Sequence, residues 1–233
     1  MKKLVILSGA GMSAESGIKT FRDSDGLWEE YDVREVATPE GWAKDMGLVL
    51  RFYNERRKQL AGALPNAGHI GVARLEKYFD VHVITQNIDN LHERAGSTKV
   101  LHLHGELTKA RSTSHPELIY DIGYEAINQG DVCEKGSQLR PHIVWFGEAV
   151  PMMEEAVEIC SDADIFAVIG SSLVVYPAAG LLGFAPSGAS LWLIDPNDVD
   201  TPMVRKVEFI REKASVGVAV LTNRLIELYG IER

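Results

Sequence analysis

One short stretch near the start of the chain constrains its fold more than any other feature. The apolar residues 4–7, Leu-Val-Ile-Leu, lead directly into residues 9–22, which read Gly-Ala-Gly-Met-Ser-Ala-Glu-Ser-Gly-Ile-Lys-Thr-Phe-Arg. A short continuous apolar run is typical of a buried parallel strand. When such a strand leads into Gly-x-Gly and a helix start, it favours a phosphate-binding loop, because glycines admit the ligand and free N–H groups face its charge. A structural turn is the alternative explanation for Gly9 and Gly11.

The rest of the chain alternates between strand-like and helix-like segments. Strands are predicted at residues 81–84, 100–103, 143–146, 165–169 and 191–194, and helices at 48–60, 67–78, 90–95, 151–160 and around 221–228. This alternation predicts an α/β fold, a Rossmann-like parallel sheet with helices on both faces. Between residues 106 and 140 the periodicity is poor and turn formers are frequent, which indicates a smaller inserted domain.

Composition excludes several classes of protein. The 233 residues suit one large domain, or one domain with an insertion, and the net charge of −9 without a basic run argues against a nucleic-acid partner. Residues 165–185 carry no charge, but Gly170, Pro177 and Gly180 divide them into core segments, so no membrane association is expected. Two cysteines indicate no disulfide framework, and we expect a cytoplasmic protein.

Four polar segments each follow a predicted strand. They are residues 9–22, 86–89, 104–105 and 170–172. Because the carboxyl ends of parallel strands share one edge of a sheet, we expect these segments to converge there, where open α/β folds bind ligands.

Three residues in these segments suggest chemistry. Asn87 and Asp89 offer complementary hydrogen bonds to a carboxamide such as that of nicotinamide, although an Asx cap for the helix near Asn90 is the alternative. His104 is a candidate general base, and a structural histidine is the alternative, which we also expect for His102.

At this point the motifs match a known family. The chain resembles the sirtuins, which are NAD-dependent protein-lysine deacylases. The matching segments appear in the family's order and span the chain from Gly9 to about Ala214; they are Gly-Ala-Gly-x-Ser-x-x-Ser-Gly-Ile-x-x-Phe-Arg (9–22), Thr-Gln-Asn-Ile-Asp-x-Leu-His (85–92), His-Gly (104–105), Arg-Pro-x-Ile-Val-Trp-Phe-Gly-Glu (140–148) and Gly-Ser-Ser-Leu (170–173).

The resemblance implies a role for each matched residue. His104 and Asn87 would be catalytic, with His104 taking a proton from the ribose hydroxyls, and NAD would be consumed as a co-substrate. The products would be free lysine, nicotinamide and O-acyl-ADP-ribose. The NAD-binding residues would be Gly9, Ala10, Gly11, Ser13, Ala14, Phe21, Arg22, Trp28, Gln86, Asn87, Ile88, Asp89, Gly170, Ser171, Ser172, Asp195, Pro196, Asn197 and Ala214.

The resemblance also implies how the protein partner, an acylated lysine of a substrate protein, would bind. Ile143, Val144, Trp145 and Phe146 would pair with the substrate backbone and line the lysine tunnel. Tyr53 and Arg56, three apart on a helix, resemble the Tyr-x-x-Arg pair of sirtuins that prefer succinyl- or malonyl-lysine. A solvated Arg-rich helix is the alternative, and acetyl-lysine stays a possible substrate.

The small domain departs from the family's pattern. Where sirtuins commonly carry two Cys-x-x-Cys pairs, this chain has Ser-Thr-Ser-His (112–115) and Cys-Glu-Lys-Gly (133–136). One cysteine does not make a tetrahedral zinc site, so we predict no structural zinc. We assign residues 1–28, 66–105 and 142–233 to a large part and residues 29–65 and 106–141 to a small part of one catalytic domain. The oligomeric state is left open. Two alternative functions are mono-ADP-ribosyl transfer to protein and a catalytically silent NAD or ADP-ribose sensor.

Overall fold

A parallel sheet of six strands forms the centre of the larger part of the molecule. The computed structural model describes residues 1–18, 31–173, 175–199 and 206–230, together with the backbone of residues 27–28. The strands in these residues are β1 (Lys3–Ser8), β2 (Leu27–Trp28), β3 (Tyr31–Asp32), β4 (Asp80–Thr85), β5 (Val100–His102), β6 (Gly105–Ser112), β7 (Ile119–Asp121), β8 (Leu139–Ile143), β9 (Ile165–Ile169), β10 (Ser190–Ile194) and β11 (Glu208–Ile210). The α-helices are α1 (Val33–Val36), α2 (Pro39–Lys44), α3 (Met46–Gly62), α4 (Ala67–Leu75), α5 (Leu91–Ala95), α6 (Met153–Ser161) and α7 (Ala214–Tyr229), and short 3-10 helices lie at Ala10–Met12, Ala14–Ser16 and Ala178–Phe184.

The strand order of the main sheet is β11-β10-β9-β1-β4-β5, and every neighbouring pair is parallel. Successive side chains of the central strand β1 point to opposite faces. Leu4 and Ile6 join the cluster that α4 and α7 cover, whereas Val5 and Leu7 join the cluster that α6 and the 3-10 helix Ala178–Phe184 cover. The predicted α/β fold with helices on both faces of a parallel sheet is therefore confirmed.

A second, antiparallel sheet contains β7, β6 and β8 in that order. Beside it, α1 and α3 build a separate apolar cluster, to which Phe52 and Tyr53 contribute two fully buried rings. Leu107 of β6 and Ile143 of β8 belong to the same cluster. The apolar face of α3 thus packs against the small sheet rather than the main one.

Residues 143–146 differ from the prediction. The sequence predicts a strand there, but the strand β8 ends at Ile143 and the next three residues follow it without strand pairing. Trp145 instead packs its ring into the apolar cluster of α1 and α3, where it is only 2% exposed. The apolar run after Ile143 thus forms a buried loop, and its local hydrophobic pattern does not distinguish such a loop from a strand.

Thr38 and Pro39 define the start of helix α2. The side chain of Thr38 accepts a hydrogen bond from the N–H of Gly41, and Pro39 occupies the first turn. Both features stabilise a helix N-terminus, because they satisfy or remove amide groups that have no partner within the helix.

Among the described residues, no helix is long and apolar enough to cross a membrane. Cys133 and Cys160 are both buried and are not joined to each other.

Candidate active site

The loops after β1, β4 and β9 meet at the carboxyl edge of the main sheet. The N–H of Gly9 donates to the carbonyl of Ile169 at 3.0 Å, and the N–H of Gln86 donates to the carbonyl of Ser8 at 2.9 Å. The side-chain amide of Gln86 donates to the hydroxyl of Ser171, also at 2.9 Å. Segments far apart in the chain are thus hydrogen bonded, in the place where an open α/β sheet binds its ligands.

Two glycines let the first of these loops pack against the last. The N–H of Gly11 donates to the carbonyl of Gly170 at 2.9 Å. A Cβ on Gly11 would lie 2.8 Å from the Cα of Gly170, and a Cβ on Gly170 would lie 2.4 Å from the amide nitrogen of Met12. Gly170 also has a φ of +61°, which side-chain-bearing residues rarely adopt. The close contact forms a cradle with no room for a side chain.

Asn87, Ser13 and Asp89 form one hydrogen-bonded group behind this cradle. The amide of Asn87 donates to the carbonyl of Gly9 at 3.0 Å and to the hydroxyl of Ser13 at 3.1 Å. The Ser13 hydroxyl in turn donates to Asp89 at 2.8 Å. The second carboxylate oxygen of Asp89 accepts from the N–H of Leu91, the first residue of α5, at 3.1 Å, whereas the N-cap residue Asn90 makes no side-chain cap. Burial raises the pKa of Asp89, against the lowering effect of these hydrogen bonds.

Two buried histidines, His69 and His92, lie against the hydrogen-bonded group of Asn87, Ser13 and Asp89. Nδ1 of His69 accepts from the N–H of Asn66 at 3.3 Å, which places its hydrogen on Nε2, 3.5 Å from the hydroxyl of Ser13. The ring of His92 packs edge-on against it, with centroids 4.9 Å apart, and its Nε2 lies 3.0 Å from the hydroxyl of Ser8. Burial lowers the pKa of His69 to about 4 and that of His92 well below its ordinary value. Both rings are therefore neutral at pH 7.

Sequence reasoning assigned no role to this pair. His92 stands in a motif segment, but nothing local indicates that it meets His69, because the contact forms only when α4 and α5 pack together. The signal for His69 was its position three residues after Asn66, which allows the reciprocal capping box seen at the start of α4.

His104 lies in the turn between β5 and β6. Its Nδ1 is 3.0 Å from the carbonyl oxygen of Gln86, which only accepts, so Nδ1 carries the hydrogen and Nε2 carries the lone pair. Burial lowers the pKa of His104, with the Gln86 hydrogen bond opposing it. The imidazole is neutral at pH 7, in the tautomer that a general base requires.

The loop after β8 is held by a charged group. Glu148 accepts from Arg140 at 2.7 Å, from Arg111 at 3.2 Å and from the N–H of Trp145 at 2.8 Å. The guanidinium of Arg140 lies over the Trp145 ring, 3.2 Å from its centroid. The indole N–H of Trp145 donates to the hydroxyl of Tyr53 at 3.0 Å. The position of the loop is thereby fixed both by Glu148 and by α3.

The remaining predicted residues occupy several places in the structure. Phe21 and Arg22 lie outside the described residues, and of Trp28 only the backbone, in β2, is described. Arg56 is buried in α3 with its guanidinium 4.9 Å from the Phe52 ring, and Phe146 is about half exposed. The other predicted residues lie in three groups: Ala10 and Ala14 in the 3-10 turns after β1, Ile88 and Ser172 in the loops after β4 and β9, and Asp195, Pro196, Asn197 and Ala214 between the end of β10 and the start of α7.

One contact joins the first loop to the start of α7. The carboxylate of Glu15 accepts from the N–H of Ser215 at 3.0 Å and from its hydroxyl at 2.8 Å. The helix α7 has no cap from its own preceding residue, Lys213. A side chain 200 residues away therefore caps α7 and connects the two ends of the predicted NAD site.

In the small sheet, the thiol of Cys133 lies 3.4 Å from the hydroxyl of Ser112. Lys135 and His115 both contact the exposed carboxylate of Glu117. Within the part of the chain that the structure describes, no group of three or more His, Cys, Asp or Glu residues is placed to hold a metal ion.

The fold is that of an open α/β protein whose polar loops meet at one edge of the sheet, and comparison with known proteins gives its family. The family profile described as "Sir2 family" matches residues 9–177, and the chain belongs to that family. It is 57% identical over 231 residues to an NAD-dependent protein deacylase of Bacteroides thetaiotaomicron, covering 97% of this chain and 99% of the relative. It is 52% identical over 228 residues to an NAD-dependent protein deacylase of Helicobacter pylori, covering 98% and 99%.

Solved structures give the same relationship. A mutant of a Sir2 homologue in complex with ADP-ribose has a TM-score of 0.88 and 38% identity, with 100% of this chain and 95% of that chain covered. A Sir2 homologue in complex with NAD has a TM-score of 0.86 and 40% identity, with 97% and 90% covered.

Proposed function

We propose that the protein removes acyl groups from lysine side chains of other proteins and consumes NAD in doing so. The observation that carries this proposal is the meeting of a neutral, Nδ1-protonated His104 with Asn87 and Asp89 at the carboxyl edge of the sheet. The Bacteroides and Helicobacter relatives, both named NAD-dependent protein deacylases, support it.

The residues present fit NAD. The contact between Gly11 and Gly170 brings the loops after β1 and β9 together at the carboxyl edge of the sheet, where glycine loops of open α/β folds bind a pyrophosphate. Gly170, Ser171, Ser172, Asp195, Pro196, Asn197 and Ala214 would hold the adenosine half. Asn87 and Asp89, with Ile88 between them, would hold the nicotinamide carboxamide. When bound, NAD supplies a leaving group, nicotinamide, and the ADP-ribose that takes over the acyl group.

His104 then acts as the general base. Its Nδ1–H is held by the carbonyl of Gln86, so its Nε2 carries the lone pair and would accept a proton from a reacting group. There it takes a proton from a ribose hydroxyl, which becomes a better nucleophile towards the acyl carbon. Because burial holds the pKa of His104 below its ordinary value, the ring is mainly in its neutral, basic form at pH 7.

The acyl-lysine would enter beside Trp145. Val144 donates its N–H to the carbonyl of His104 at 2.9 Å, which ties the substrate loop directly to the base. Ile143, Trp145 and Phe146 would line the lysine tunnel, with the half-exposed Phe146 at its mouth.

Tyr53 and Arg56 favour an acidic acyl group. Both are buried on the same helix, and the Tyr53 hydroxyl is oriented by the indole N–H of Trp145. A phenol and a guanidinium at the inner end of the proposed lysine tunnel would provide hydrogen bonds and positive charge for a carboxylate. We therefore propose a preference for succinyl- and malonyl-lysine over acetyl-lysine.

The small part would hold together without zinc. The thiol of Cys133 and the hydroxyl of Ser112 hydrogen bond to each other where the family's metal would lie, and we propose that this contact and the surrounding packing replace the metal. We also propose that residues 29–65 and 106–141 form this small part of one catalytic domain.

The test is to incubate the protein with NAD and matched acetyl-, succinyl- and malonyl-lysine peptides and to follow nicotinamide and free peptide. Turnover of none of the three peptides would exclude the proposed function. If nicotinamide is released and a protein acceptor instead becomes labelled with ADP-ribose, the result would favour a mono-ADP-ribosyltransferase. His104→Tyr should abolish turnover while leaving ADP-ribose affinity within about twofold, because the ring binds no phosphate.

The acyl preference needs a matched pair of variants. Arg56→Met should lose turnover of succinyl and malonyl peptides and keep that of acetyl peptide. Arg51→Met, on the exposed side of the same helix, is the control and should change neither. Equal losses on all three peptides would show that Arg56 has no role in choosing the acyl group.

A further inference from the structure

A histidine outside the predicted site makes a contact that bears on Asn87. Nδ1 of His102 lies 3.1 Å from the carbonyl oxygen of Asn87, and its Nε2 lies 2.7 Å from a carboxylate oxygen of Glu93. Carbonyl and carboxylate oxygens accept hydrogen bonds and do not donate them. Both ring nitrogens therefore carry hydrogens when both contacts exist, and the ring is an imidazolium ion.

The charges around His102 support this state. The His102 side chain is only 7% exposed. Burial lowers the pKa of His102, but the hydrogen bond and charge of Glu93, together with the charge of Glu106 on β6, outweigh it, so that the net pKa is raised. Asp89, after β4, and His92, on α5, also face this ring electrostatically. His92 is neutral, and Lys109, whose charge acts on Glu93, is paired with Glu106 at 2.6 Å, so the ring faces three carboxylates with one lysine nearby.

His102 and His104 act on consecutive peptide groups. His104 donates to the carbonyl of Gln86, and His102 donates to the carbonyl of Asn87. On the opposite side, the amide of Asn87 is held by Gly9 and Ser13. The backbone of Asn87 is thus fixed by His102 while its side chain is fixed by the first loop, and a shift of the carbonyl would move the amide.

We propose that Glu93 and the His102 imidazolium form a positioning pair that fixes Asn87 and thereby sets how tightly the site holds the nicotinamide carboxamide. This inference rests on the proposed function, in which Asn87 binds that group. The pair touches neither substrate; it acts through Asn87. It also makes nicotinamide binding depend on pH, since His102 loses one of its two contacts when it loses a proton.

The sign of the pH dependence follows from the raised pKa. The pair is complete below the pKa of His102 and weakens as the pH rises through it. Glu93→Gln keeps an oxygen that accepts from Nε2–H but removes the charge that stabilises the imidazolium. In that variant the pKa of His102 falls, and the same weakening occurs at lower pH.

The experiment measures inhibition by nicotinamide, and its exchange into NAD, between pH 6 and pH 9 for the wild type, Glu93→Gln and His102→Gln. His82→Gln is the matched control, because His82 also contacts a carboxylate, that of Asp80, but lies on β4 at the opposite end from the loops. At a pH between the two midpoints, where His102 is protonated in the wild type but not in Glu93→Gln, we expect nicotinamide inhibition about tenfold weaker in Glu93→Gln and in His102→Gln, as for one lost hydrogen bond to a charged group. Affinity for ADP-ribose, which has no carboxamide, should stay within about twofold.

A midpoint of the nicotinamide response at the same pH in the wild type and Glu93→Gln would overturn the proposal. Equal losses of affinity for nicotinamide and for ADP-ribose would also overturn the proposal, since they would show that the pair has a merely structural role. If His102→Gln does not fold, the pH midpoint of Glu93→Gln decides alone.

A second readout needs no turnover. Nitrogen-15 NMR of the histidine rings at pH 7 should show two protonated nitrogens for His102 and one for His104; a neutral His102 would refute the pair. If no acyl peptide is turned over, the proposed function fails, but the ring spectra and calorimetric binding of nicotinamide with ADP-ribose still test this proposal.

Discussion

Glu148→Gln should destabilise the protein strongly for a substitution of nearly equal volume. Glu148 is the acceptor for two guanidinium groups and one backbone N–H. Of the two arginines, Arg140 is the more deeply placed, with a side chain 9% exposed against 15% for Arg111, and the Glu148 side chain itself is 21% exposed. The substitution leaves the Arg140 charge buried without its anion.

The magnitude follows from this burial. Removing one partner of a buried ion pair costs about 3–5 kcal/mol of the free energy of unfolding. Because Glu148 is partly exposed, we expect a loss of about 3 kcal/mol. For a chain of this size such a loss lowers the melting temperature by roughly 6–12 °C. Because Trp145 is held by the same carboxylate, the KM for acyl peptide should rise as well.

The assay is urea unfolding at pH 7, with Glu117→Gln as the control. Glu117 also contacts two side chains, Lys135 and His115, but it is 60% exposed. Exposed pairs contribute about 0–1 kcal/mol, so this control should remain close to the wild type. A difference between the two variants below about 1 kcal/mol would refute the view that Glu148 neutralises a buried charge.

Three further outcomes are expected. Glu15→Ala should cost about 1 kcal/mol in urea unfolding, because α7 loses its cap at Ser215, and should weaken ADP-ribose binding; unchanged affinity would show that the cap does not organise the NAD loop. Because of His69 alone, the free energy of unfolding should be at its full value above about pH 6.5 and fall by about 3 kcal/mol towards pH 4. The unfolded chain takes up a proton there, whereas the folded His69 ring resists protonation until its pKa of about 4. His69→Gln should flatten this slope, and an unaltered slope would contradict the buried neutral ring. If the Cys133–Ser112 hydrogen bond replaces the metal as proposed, incubation with a zinc chelator should leave the melting temperature unchanged. A fall in the melting temperature, or stoichiometric zinc in the purified protein, would show that a metal is bound.

The sequence determined the main sheet well because its signals are local. Residues 4–7, 81–84 and 165–169 are apolar runs bounded by polar loops, and each forms a strand. The convergence of the loops after them followed from strand direction alone. The sequence thus predicted which segments meet before any side-chain contact was known.

The errors arose where tertiary packing decided the outcome. Trp145 is apolar because it packs on α3, and not because it lies in a strand. The contacts of His102 were not predicted either, because one is with Glu93, nine residues earlier in the chain, and the other is with a carbonyl that carries no sequence signal. Side chains recognise backbone groups through the fold, so such contacts are invisible to residue patterns.

The contact between Gly11 and Gly170 has an evolutionary consequence. An overfilled contact between two ordinary side chains can be relieved by making the partner smaller, but neither of these residues has a smaller form. The nearest atoms to an added Cβ are main-chain atoms of the other loop, which no second substitution removes. In descendants of this sequence, no second substitution can therefore compensate for a change at Gly11 or Gly170. The loops on either side of the contact can change in sequence only while both glycines are kept.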